Sequence, residues 1–175
     1  MITVLGLDPG TTNFGYSVVQ LGVTPFRYNI VEHGMIVNPV KVLSGMEVGE
    51  KAVKFKLELA RLKRKHKIDF AVAERFMTRG NGGTTIEAVG LMLGLTASVF
   101  GTEVCFTTAA VWKNNFNKHY CLKEFYDEMK QYGIVAHRID ALCIGLYGAE
   151  LASEEPHFQM LRNIKQFKQK ILKSR

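Results

Sequence analysis

Residues 2–8, ITVLGLD, make an almost continuous apolar run ending in an acid, as expected of a strand buried on both faces. Pro9-Gly10 supplies a turn, and FGYSVVQL over 14–21 alternates as a returning strand. FRYNIVEHGMIV over 26–37 reads as a third strand, completing an antiparallel meander. From Ser44 to His66 the apolar positions Met46, Val53, Leu57, Ala60 and Leu62 have helical spacing, with RLKRKHK at the solvated end. IDFAVAERF over 68–76 predicts a fourth strand, followed by the glycine-rich MTRGNGG. TTIEAVGLMLGLTASVF starts with threonines suited to capping and continues as a helix over 84–100. TEVCFT over 102–107 predicts a fifth strand, and helical patterns fill most of 108–132, 136–152 and 156–173. This order predicts an α/β or α+β sheet with helices on its faces.

At 175 residues the chain is long enough to bury a core without disulfide or metal staples. We expect one domain over 1–152, with 153–175 as an added basic amphipathic helix. In that tail Ser153 caps and Pro156 is tolerated early, while Phe158, Leu161, Ile164, Phe167 and Ile171 form an apolar stripe. Lys and Arg number 23 against 16 Asp and Glu, a formal net charge of +7 that favours a polyanionic partner. Cys105, Cys121 and Cys143 are odd in number and form no C-x-x-C pair, so we expect reduced core thiols. MITVLGLDPG lacks the pattern of a signal peptide, and the apolar run 88–101 is too short for a bilayer; the expected location is cytoplasmic.

Asp8 closes the first strand and Glu74 the fourth. If those strands are neighbours, two carboxylates emerge side by side, which is costly unless a cation sits between them. His137 and Asp140 are three apart in VAHRIDALCIGLYGAE and share one face of a helix that is otherwise apolar. Taken singly, each has a plain structural reading: Asp8 as a turn former, Glu74 as an ion pair with Arg75, His137 as a helix-start residue.

LGLDPGTTNFGYSVV, FAVAERFM and HRIDALCIGL, in this order and spacing, resemble the three active-site segments of the RuvC-type Holliday junction resolvases, in the RNase H-like superfamily. The resemblance implies an α/β RNase H-like fold: a central five-stranded mixed sheet, three antiparallel strands then parallel ones, flanked by helices. It further implies a crossover junction endodeoxyribonuclease whose Asp8, Glu74, His137 and Asp140 bind two Mg²⁺ ions, with Mn²⁺ able to substitute. Asp8 would bridge both ions, Glu74 and Asp140 would each hold one, and His137 stands where family members carry Asp or His. The chemistry agrees, since hard carboxylate oxygens suit Mg²⁺, and two ions roughly 4 Å apart support in-line phosphodiester hydrolysis. The expected products carry 5′-phosphate and 3′-hydroxyl ends.

An aromatic placed like Phe76, here one residue nearer the acid, wedges into the junction in such resolvases; the other reading of Phe76 is a buried last residue of the strand. Arg79 is a candidate phosphate contact from the same loop. Lys123 occupies the position of a DNA-contacting lysine; Lys113 and Lys118 are further candidates, with Trp112 read as core. Gly90, Gly94 and Ser98 line one helix face at steps of four, suiting close approach of the chain's own sheet or of a second subunit; a homodimer through 84–100 is expected. Branched DNA is the expected partner. LDPGTTN also resembles the first phosphate loop of Hsp70/actin-like ATPases. That reading needs a second phosphate loop, absent from this sequence, so no nucleotide cofactor is expected. Two other readings remain: a less selective RNase H-like nuclease on flaps, forks or RNA–DNA hybrid, and a catalytically silent junction-binding module.

Overall fold

The computed structural model describes residues 1–10, 13–22, 28–37, 45–75, 83–119 and 121–152. The elements run β1 (Ile2–Asp8), β2 (Asn13–Leu21), β3 (Tyr28–Val37), α1 (Gly45–His66), β4 (Phe70–Glu74), α2 (Gly83–Phe100), β5 (Val104–Thr107), α3 (Ala109–His119), α4 (Leu122–Gln131) and α5 (Ala136–Leu151). The five strands form one sheet in the order β3-β2-β1-β4-β5. β1 pairs antiparallel with β2, and β2 with β3; β4 joins β1 in parallel and β5 joins β4 in parallel. This is the mixed RNase H-like sheet expected above. The 153–175 tail, Phe76 and Arg79 lie outside the described residues.

Strand alternation divides the core into two layers. Leu5 and Leu7 of β1, with Phe14, Tyr16 and Val18 of β2, point toward α1 and α2, where Phe55, Leu59, Leu62 and Met92 cover them. Val4, Val19 and Val72 point the other way, into a cluster with Trp112, Phe116, Phe125, Met129 and the apolar residues of α5. β1 is therefore buried on both faces from Thr3 to Asp8, as its composition predicts. α2 buries Ala88, Val89, Met92, Thr96 and Phe100. Its extended run Ile86–Glu103 is long and apolar enough to cross a membrane by length and composition alone, longer than the 88–101 stretch singled out in the sequence.

The helical pattern over 108–132 resolves into two helices. Asn117 accepts the backbone N–H of Leu122 through its side-chain Oδ1 at 3.0 Å, satisfying a donor at the start of α4. The chain reversal brings Phe116 and Phe125 together with ring centroids 5.3 Å apart. Cys121, expected in the core, is exposed at this break; Cys105 is half-buried and Cys143 buried, and all three are free thiols.

α5 lies closer to the sheet than side chains normally allow. A Cβ on Gly6 would collide with the backbone of Gly145 and Ala141, one on Gly15 with the carbonyl of His137, and one on Gly145 with Ser17 Oγ. Ser17 donates to the carbonyl of Ala141 at 2.7 Å, fixing the helix along its axis. Before α5, α4 ends at Gly133 with φ +71°, where its N–H and that of Ile134 bond back to Lys130 and Met129.

Candidate active site

The parallel β1–β4 register pairs Leu7 with Ala73, so the next residues, Asp8 and Glu74, leave the sheet side by side. By alternation both lie on the face that carries α5, the face of Val4, Gly6 and Val72. The close seat of α5 delivers His137 and Asp140 over the same edge. His137 Nδ1 is 2.6 Å from Asp8 Oδ2. With Asp8 ionised, Nδ1–H donates to it, and the His137 side chain is half-exposed.

β5 and α3 complete the surroundings. Thr107 pairs with Glu74 in register, and its buried Oγ1 has no hydrogen-bond partner among the described residues. Trp112, wholly buried, donates its indole N–H to Glu74 Oε2 at 2.6 Å. Lys113 sets its ammonium 4.9 Å from the centre of the Trp112 ring.

All three carboxyls titrate above their ordinary range. Burial raises Asp8, against the hydrogen bond and charge of His137 and the charge of Lys113, which pull it down. Burial likewise raises Glu74, opposed by the Trp112 hydrogen bond and assisted by the charge of Asp8. Asp140 is pushed up to about 7, first by burial and then by the charge of Asp8, with Lys113 opposing and Glu74 adding. Its Oδ1 is buried without a hydrogen-bond partner among the described residues. A buried carboxylate oxygen with no donor, flanked by two further carboxylates, is the environment a cation would relieve. The donors are hard oxygens plus one imidazole, a set that fits Mg²⁺ or Mn²⁺. Among the described residues, no three such groups already converge on one point as a finished cage. Asp8 and Glu74 each give one oxygen to a protein donor instead.

The predicted acids and His137 thus share one sheet edge, and of the three lysines it is Lys113 whose charge acts on them. Lys118 is exposed on α3 and Lys123 on the first turn of α4. Sequence reasoning missed Thr107, the contact of Trp112 with Glu74, and Arg138, whose Nη2 donates to His33 Nδ1 at 2.9 Å. A buried indole N–H requires an acceptor. That requirement was readable in principle, but not which acceptor answers it.

By sequence, no family model and no curated protein matches the chain. Solved structures do. RuvC from T. thermophilus in complex with Holliday junction substrate aligns with a TM-score of 0.66 at 16% identity, covering 87% of this chain and 95% of that one. A second Thermus thermophilus RuvC structure gives 0.65 at 21% identity, covering 86% and 95%. The chain has the RuvC fold. The yeast mitochondrial Holliday junction resolvase Ydc2 shares it with a TM-score of 0.53 at 15% identity, over 96% of this chain and 83% of that one. In RuvC-fold terms, the acids stand where β1, β4 and the last described helix meet at one edge of the mixed sheet.

Proposed function

We propose that this protein is a metal-dependent, structure-selective DNA endonuclease that cuts Holliday junctions or other branched DNA, leaving 5′-phosphate and 3′-hydroxyl ends. The observation that carries the reading is Asp140: a half-buried carboxyl whose Oδ1 is buried with no hydrogen-bond partner among the described residues, its titration raised by burial and by the charges of Asp8 and Glu74, on a protein with a net charge of +7. Carboxyls whose titration is raised by burial and by one another cluster at functional sites.

Asp8, Glu74, Asp140 and His137 would hold two Mg²⁺ or Mn²⁺ ions, which supply an activated water and stabilise the leaving oxygen. The chain's own groups set this up. His137 orients Asp8 through Nδ1 while its side chain stays half-exposed. Lys113 brings positive charge to an edge that must accept a phosphate. Lys118 and Lys123 stand ready for backbone phosphates, with Phe76 and Arg79 assigned to the junction rim. The ATPase reading of LDPGTTN is disfavoured because the partners of Asp8 are carboxyls and an imidazole. The enzyme is further proposed to work in the cytoplasm, that of the host if the source is viral. It would act as a homodimer through the 84–100 helix, since a symmetric pair of sites matches a four-way junction.

Labelled four-way, three-way and linear duplexes incubated with Mg²⁺ and mapped at nucleotide resolution test the proposal. Cutting confined to branched substrates is expected; equal cutting of flaps, forks and hybrid selects the less selective nuclease, and binding without cutting selects the silent module. Asp8→Asn is expected to lower cleavage by at least about 10³-fold while junction binding survives in a gel-shift assay.

A further inference from the structure

We infer that Trp112 is a positioning residue of this site, its indole N–H fixing Glu74 by one oxygen while its ring face seats the ammonium of Lys113. The inference rests on the nuclease reading and goes further, assigning a task to a residue that the sequence placed simply in the core. Trp112 is fully buried in the α5-side cluster, so its ring has one orientation. Its N–H meets Oε2 of Glu74 at 2.6 Å, a short bond of the kind made to a charged acceptor. Glutamate is otherwise a poor fixed ligand because its side chain is long and free to rotate. With Oε2 held by the indole, Oε1 is left to face the site in a defined direction. Partners that hold a ligand from behind typically change metal affinity 10–100-fold when removed. On the other side, the Lys113 ammonium lies 4.9 Å from the ring centroid, within cation–π range. One rigid side chain therefore sets both a carboxylate and a cation of the same edge.

Trp112 is the sole tryptophan, so ¹⁵N-labelled protein gives a single indole N–H resonance. That resonance is expected downfield in the metal-free protein, to move upfield in Glu74→Gln, and to shift saturably as Mg²⁺ is added. In parallel, Mn²⁺ affinity is measured by the free-ion EPR signal. Trp112→Phe keeps an aromatic face for Lys113 and removes the N–H together with part of the ring system; it is expected to weaken Mn²⁺ binding at least about 10-fold with an unchanged circular dichroism spectrum. If that variant does not fold, the wild-type resonance decides. Saturable Mn²⁺ binding with an indole peak that ignores Mg²⁺, or a folded Trp112→Phe of unchanged affinity, overturns the inference and leaves the nuclease reading standing. Wild type that binds no Mn²⁺ overturns the nuclease reading itself, and the inference with it.

Discussion

A carboxyl partly withdrawn from water beside two others resists ionising, and Asp140 shows the consequence, with its titration pushed from 3.8 to about 7 by desolvation and by the charges of Asp8 and Glu74. The sign follows from linkage. A folded-state value above the unfolded one means that stability is fully present below about pH 3.8 and drains away as pH rises through about 7. Asp140→Asn removes the penalty. In chelator at pH 8 it is expected to raise the thermal midpoint, by about 2–4 °C for each kcal/mol relieved at this size, and near pH 3.5 to change it little. Differential scanning fluorimetry at the two pH values checks this. At the residue scale the convergence of Asp8, Glu74 and Asp140 was legible because acids at strand ends and an Asp in an apolar helix stripe need a reason to exist, while the place of His137 beside Asp8 was expected from the family resemblance. Trp112 and Thr107 were not, because their relation to Glu74 is made by neighbouring elements in space.

At the scale of elements, the site depends on how closely α5 can settle on β1 and β2. Gly6, Gly15 and Gly145 have no room for a methyl group, and the obstacle at Gly6 is backbone. Gly6→Ala must therefore lift α5 or distort β1, at a cost of about 1–3 kcal/mol typical of overpacking. It is expected to lower urea stability by that amount and to lower cleavage further by moving His137 and Asp140 away from Asp8. Retained activity per folded molecule would show that the helix seat tolerates displacement. The strands and the outer helices were legible from their periodicity. The division of 108–132 was not, since one helical pattern continues across it and only the Asn117 bond to Leu122 and the tilted contact of Phe116 with Phe125 reveal the break.

For the whole molecule, two apolar layers close over one sheet, and α2 turns Gly90 and Gly94 outward. The sequence left two partners open for this stripe, the chain's own sheet or a second subunit. A Cβ at either glycine would meet nothing within 4 Å, so the sheet is ruled out as the reason for them. Replacing both glycines by alanine should stabilise the isolated subunit by about 1 kcal/mol per site through helix propensity alone. In a dimer packed on this stripe, the same change should raise the dissociation constant in sedimentation equilibrium; stabilisation without any loss of association would place the dimer contact elsewhere.

The sequence by itself determined the strand and helix order and marked the acids at strand ends as candidates, because burial patterns and the chemistry of strand ends are local properties of the chain. Which strands stand beside one another, how deeply α5 settles on its glycines, and which atom receives the Trp112 proton were decided only by tertiary structure. These depend on distances between residues as far apart as Asp8 and His137, and no local pattern encodes such distances.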